Sequence, residues 1–204
     1  MTDNDRQTEE KIFEAATEVF LEKGMDGARM QDIADRAGIN KALLHYYFRT
    51  KDHLFDAVFE KKAGEMFKKF APVFDDGLSL EDKIRLFFRE HITFLQENPR
   101  LPAFVVTEIN RNPDRIKKLL KNVDFNAFWF MVLEKHKNEL KKYNISKDNL
   151  PQLMISMVGI SVFPFAARGI LEGIMEKMDI DFESFIEERK MFAADFVINA
   201  ITKK

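Results

Sequence analysis

The basic side chains Arg36, Lys41, His45, Arg49 and Lys51 follow one another with no carboxylate among them until Asp52. Guanidinium, ammonium and imidazole groups donate hydrogen bonds to phosphate oxygens and to base edges, and a tyrosine hydroxyl at Tyr46 adds a further donor. The chain as a whole carries a net charge of -2, so its bulk electrostatics give no affinity for a polyanion. Any nucleic-acid chemistry must therefore be local to this stretch.

No competing catalytic set is visible. The four histidines, His45, His53, His91 and His136, are scattered, and none stands three residues after a glutamate as a di-iron helix bundle requires. There is no cysteine to act as a nucleophile or soft metal ligand, and no glycine-rich loop to cradle phosphate. The sequence is thus expected to be no enzyme and to need neither metal nor cofactor. The absence of cysteine, together with a polar N-terminus MTDNDRQTEE lacking an apolar segment behind it, leads us to expect a cytoplasmic protein.

The elements that must hold the basic stretch are helical. Only 6 prolines and 8 glycines interrupt 204 residues, and apolar positions recur with a period near 3.6 rather than 2. The fold class predicted is all-α. Ile12, Ala15, Ala16, Val19 and Phe20 mark a first amphipathic helix, with Thr8 as its expected cap and Lys23-Gly24 as its stop. A short second helix carries Met30, Ile33, Ala34 and Ala37 and ends at Gly38; a third runs from about Lys41 to Phe48. Ala34 is small enough for two helices to cross closely, and Gly38 four residues later suits a turn with positive φ. Ile39, Leu44, Tyr47 and Phe48 form an apolar underside. Lys41, Ala42, His45, Tyr46 and Arg49 are left on one outer face, suited to a major groove. A solvated basic face has the same spacing, but an outward aromatic such as Tyr46 has little use in water alone.

Residues Thr8 to Leu54 resemble the N-terminal domain of the TetR/AcrR family of transcriptional regulators. The resemblance is carried by Ile12, Ala15, Phe20, Gly24, Met30, Ile33-Ala34, Ala37-Gly38-Ile39, Leu44, the run His45-Tyr46-Tyr47-Phe48, and Lys51-Asp52 with Leu54. It implies a three-helix helix-turn-helix domain over residues 1–52, and a larger helical ligand-binding and dimerisation domain over 53–204. It also implies a homodimer that binds double-stranded operator DNA, usually as a repressor, and a small-molecule effector. Carried onto this chain, the DNA contacts fall on Arg29, Met30 and Gln31, on Asn40, Lys41, Ala42 and Leu43, and on His45, Tyr46 and Lys51. Lys41 and Lys51 are expected at phosphates, Asn40, Leu43 and His45 nearer base edges. Two departures stand out. Ala28-Arg29 lacks the hydroxyl that usually opens helix two, and Ala42-Leu43 replaces a small glycine and a polar residue in helix three.

Beyond Asp52, a fourth helix is expected from Leu54 past Gly64 to about Phe70, a fifth from the cap Ser79 to Gln96, and a short sixth between Asn98-Pro99 and Asn112-Pro113. A seventh is expected from about Asp124 to Lys142. Eighteen of the 21 phenylalanines lie after residue 50, enough to fill a core or to line a cavity for an apolar or aromatic ligand. Two polar residues sit in apolar stripes: Glu108 with Leu101, Phe104 and Val105, and His136 with Phe125, Trp129 and Val132. Either orients a ligand's polar group or pairs with a neighbouring cation. Phe104, Glu108, Phe125, Trp129 and His136 are the candidate ligand residues.

Leu150 to Leu171 is apolar around most of its circumference and long enough to suggest a membrane span, but Gln152, Pro164 and Arg168 argue against one. A helix apolar on several faces packs on several faces. One face is expected on its own domain and the other on a second copy, with Gly159, Phe163 and Ala167 at the contact. The last helix joins it, with Phe182, Phe185, Ile186, Arg189, Ala193, Phe196, Val197 and Ala200 in one stripe and Phe192 and Phe196 at the contact. The bland alternative is a helical ligand carrier or interaction module without sequence-specific DNA binding. Salt-dependent DNA binding separates the two.

Overall fold

A computed structural model describes residues 3–70, 77–114, 117 and 133–202. Among the described residues all regular structure is helical: α1 (Asp3–Gly27), α2 (Met30–Ala37), α3 (Lys41–Tyr47), α4 (Lys51–Phe70), α5 (Leu80–Glu97), α6 (Leu101–Arg111), α7 (Lys137–Lys142), α8 (Leu150–Ala166), α9 (Arg168–Glu176) and α10 (Phe182–Thr202). The chain divides into two compact units, one of Met1–Glu65 with Phe104–Leu120, the other of Met66–Ala103 with Lys121–Lys204.

In the first unit α1, α2, α3 and the start of α4 close around Ile12, Ala16, Val19, Phe20, Ile33, Ala34, Leu44, Leu54 and Phe55, all essentially inaccessible to water. Phe20 and Phe55 meet edge-on with centroids 5.1 Å apart, and Phe104 of α6 lies 5.9 Å from Phe55. Such contacts between aromatic rings add to their area burial. The α1 helix starts at Asp3, ahead of Thr8, so Thr8 is an interior position and not the cap expected of it. The stop at Gly24 becomes a kink: φ is +68° there, and the chain resumes helical form to Gly27. Ser79 caps α5 as its position predicts, accepting the Asp82 amide at 3.1 Å.

In the second unit α5 packs chiefly against α10 and α8, burying Phe88, Ile92, Phe94, Ile186, Ala193 and Val197. One expectation is corrected here. Leu150 to Leu171 is not one helix, because α8 ends at Ala166 and α9 leaves at 70° to it. Pro164 lies just before the bend; its ring clashes with the preceding turn and it has no amide to donate. The residues of α10 divide between two environments. Ile186, Ala193 and Val197 are inside, whereas Phe196 is 58% exposed and Phe192 65%. No single helix among the described residues is long and apolar enough to cross a membrane.

Candidate nucleic-acid interface

The helix-turn-helix is set by short-range chemistry. Gly38 closes α2 in the left-handed region at φ +66°, and its own amide and that of Ile39 return to Asp35 and Ala34. This is the glycine-terminated end that exhausts the last carbonyls of a helix. Asn40 then caps α3, its Oδ1 accepting the Leu43 amide at 2.7 Å. Leu44 is fully buried and Phe48 nearly so, which turns Lys41, Ala42, His45, Tyr46 and Arg49 outward. Tyr46 is 80% exposed, and its ring leans edge-on against Tyr47.

The predicted contact residues now have distinct situations. Arg29 is the exposed residue before α2 and makes no side-chain cap, as the missing hydroxyl at this position foretold; Met30 is half-buried against the core. Gln31 is exposed and donates to Asp35 at 2.7 Å. Asn40 is exposed, with its side-chain oxygen engaged in the cap. Lys41 and Ala42 are exposed and Leu43 half-buried; His45 is exposed with Nδ1 3.2 Å from the Arg49 carbonyl. Lys51 is tied to backbone, donating to the carbonyls of Asp26 at 3.1 Å and Ala28 at 3.0 Å.

Arg36 leaves the cationic set altogether. It pairs with Glu22 at 2.8 Å and Glu18 at 3.4 Å on α1, and those bonds raise its guanidinium further above its ordinary value. Lys23 likewise holds Asp32 at 2.6 Å and lowers that carboxyl. Burial, with the Asp5 carboxylate beside it at 3.2 Å, raises the Tyr47 hydroxyl. Sequence reasoning passed over Thr50, whose hydroxyl accepts the His53 amide at 3.1 Å and caps α4; a threonine just before a new helix was the available signal.

The candidate ligand residues fall in both units. Phe104 and Glu108 belong to the first unit, where Glu108 is 2% exposed and accepts the Met25 amide at 3.3 Å. His136 belongs to the second, at a break before α7, where the Lys83 ammonium donates to its Nδ1 across 3.1 Å. Phe125 and Trp129 lie outside the described residues, as does most of the expected seventh helix. At the candidate dimer face Gly159 is exposed, Phe163, Phe192 and Phe196 are 60%, 65% and 58% exposed, and Ala167 is half-buried at the bend. Among the described residues no cluster of His, Asp or Glu is arranged to hold a metal ion.

A tri-helical unit with a capped recognition helix and an outward basic-aromatic face defines a helix-turn-helix DNA-binding domain, followed here by a larger helical part. Residues 12–58 match the bacterial regulatory proteins of the tetR family. The chain is similar to the fatty acid metabolism regulator protein of Bacillus subtilis strain 168, 20% identical over 55% of this chain and 58% of that one. A TetR-like transcriptional regulator from Rhodococcus sp. RHA1 shares the fold with a TM-score of 0.69 at 17% identity, over 97% of both chains. FadR from Bacillus subtilis, solved in complex with stearoyl-CoA, does so with a TM-score of 0.63 at 16% identity, over 90% of this chain and 96% of that one. The sequence matches span 23% to 58% of the length of the first curated relatives. Residues 12–58 thus match the DNA-binding domain of tetR-family regulators, and the chain as a whole shares its helical fold with TetR-like regulators.

Proposed function

We propose that the protein is a homodimeric repressor that binds double-stranded operator DNA through α3 and is released by a small apolar effector. The observation that carries the reading is the outer face of α3, where Lys41, Ala42, His45, Tyr46 and Arg49 stand exposed on a helix whose other side is core. A large aromatic held 80% in water at the centre of a basic face gains nothing by folding and gains contact area on a duplex. Two such helices in a dimer enter successive major grooves about 34 to 36 Å apart.

Support for a second copy comes from apolar side chains that the chain leaves outside: Ile155, Phe163, Phe192 and Phe196 on α8 and α10. An apolar patch of this kind marks an interaction surface. Support for an apolar effector comes from the aromatic load beyond residue 50 and from the likeness to a regulator solved with stearoyl-CoA. Helix α4 is continuous from the first unit into the second, so an effector favouring another tilt of α4 changes the spacing of the two reading helices. Effector and operator then weaken each other's binding by the same factor.

The test starts from a pool of random 30-base-pair duplexes, from which the protein selects its preferred sequence. Binding of the enriched duplex that falls steeply with salt, and falls again on adding stearoyl-CoA while sedimentation still reports a dimer, supports the proposal. Failure to enrich any duplex overturns the DNA-reading role, and release by dissociation to monomers overturns the mechanism.

A further inference from the structure

Gly24 breaks α1 and starts a single new turn, in which the Ala28 amide returns to the Gly24 carbonyl at 3.2 Å. That turn leads directly into Arg29 and α2, so its orientation sets the direction of the first predicted contacts, Arg29 to Gln31. Two charged side chains hold it from opposite ends. At its head the Glu108 carboxylate, brought in by α6, accepts the Met25 amide at 3.3 Å, and Asn112 donates to the other carboxylate oxygen at 3.4 Å. At its tail the Lys51 ammonium takes the carbonyls of Asp26 and Ala28. An acceptor at the amide end and a donor at the carbonyl end satisfy backbone groups of the turn that have no helical partner. Glu108 is 2% exposed, so its carboxyl group must find hydrogen-bond partners inside the protein.

We propose that Glu108 is a positioning residue for DNA reading: by holding the Met25 amide it orients the α1–α2 turn, and through it Arg29 to Gln31. The carboxylate thereby has a task inside the first unit that does not involve the effector. This rests on the DNA-binding reading above. What matters in the bond is reach to the amide, which a glutamine retains and an aspartate, one methylene shorter, loses.

The experiment compares wild type, Glu108→Gln, Glu108→Asp and Glu108→Ala for affinity toward the duplex enriched by wild type and toward a scrambled duplex of equal length. Thermal melting and amide exchange at Met25 are followed alongside. Expected is a loss of about tenfold in the ratio of specific to non-specific affinity for Glu108→Asp and Glu108→Ala, with an unchanged salt slope, faster Met25 exchange, and near-normal values for Glu108→Gln. A purely structural role lowers the melting temperature but leaves that ratio unchanged in the folded protein, and this result overturns the proposal. So does the reverse order, with Asp retaining the ratio and Gln losing it. If Glu108→Ala does not fold, the Gln and Asp variants decide alone. A wild-type protein that enriches no duplex fails at the earlier step and takes this inference with it, whereas enrichment followed by an unmoved ratio refutes the inference only.

Discussion

Arg189 donates from both Nε and Nη2 to the main-chain carbonyl of Ile160, at 3.1 Å each. Ile160 is the residue four before Pro164, so its carbonyl is the one that Pro164, lacking an amide, leaves without its helical donor. A guanidinium on α10 thus completes the hydrogen bonding of α8 next to the bend, and burial lowers Arg189 from its ordinary value.

Replacing Arg189 by Met leaves the Ile160 carbonyl unpaired and is expected to destabilise the protein by about 1–3 kcal/mol in urea denaturation. In a Pro164→Ala background the new Ala amide can take that carbonyl, so the same substitution costs less there. Strict additivity of the two changes would contradict the account.

Burial holds His91 down to about 4, from an ordinary 6.5; its Nδ1 lies 2.8 Å from the Ser161 hydroxyl. Because the folded value is the lower one, the unfolded chain binds the proton first. Stability is therefore full above about pH 6.5 and falls as the pH drops toward 4, by up to about 1.4 kcal/mol per pH unit from this group. His91→Gln removes that part of the slope between pH 6.5 and 4, as a series of urea midpoints measures.

Tyr46→Ala deletes a ring that is 80% exposed, so the urea midpoint stays within about 0.5 kcal/mol of wild type. Affinity for the enriched duplex falls. Lys41→Ala reduces the slope of log affinity against log salt by about 1 if Lys41 neutralises one phosphate. Unchanged affinity and slope in both variants would remove the outer face of α3 from the interface.

Gly38→Ala meets no atom within 4 Å, yet Gly38 sits at φ +66°. The cost is then backbone strain alone, about 1–2 kcal/mol in the urea midpoint, and Gly38→Asn costs less.

Phe192 and Phe196 stack with centroids 6.5 Å apart on the outer side of α10. Phe192→Asp puts a charge into that apolar pair and is expected to move sedimentation at micromolar concentration from dimer toward monomer, with helicity by circular dichroism retained. A wild-type monomer would refute the dimer.

What was legible in the sequence was local. The α2–α3 pair falls where expected, because Gly38 and Asn40 act on their own neighbours and because Ile33, Ala34 and Leu44 keep helical spacing. The Ser79 cap and the absence of a cap at Arg29 were equally readable. The sequence also located a basic stretch without carboxylates, Arg36 to Lys51, in a chain of net negative charge, and its apolar periodicity set that stretch on a helix.

Tertiary structure decided everything that depends on partners distant in sequence. Glu108 reads as a polar residue in an apolar stripe until the fold brings it to Met25, 83 residues away. Lys51 and Arg36 read as two members of one basic run until the fold brings Lys51 to the backbone carbonyls of Asp26 and Ala28 and Arg36 to the α1 carboxylates. The Ile160 carbonyl that Pro164 leaves without its helical donor is likewise met from outside the Leu150 to Leu171 segment, by Arg189. Periodicity encodes which side of a helix is apolar; which charged group meets which is settled only when separate helices close on one another, because burial forces each to find a partner or remain in water.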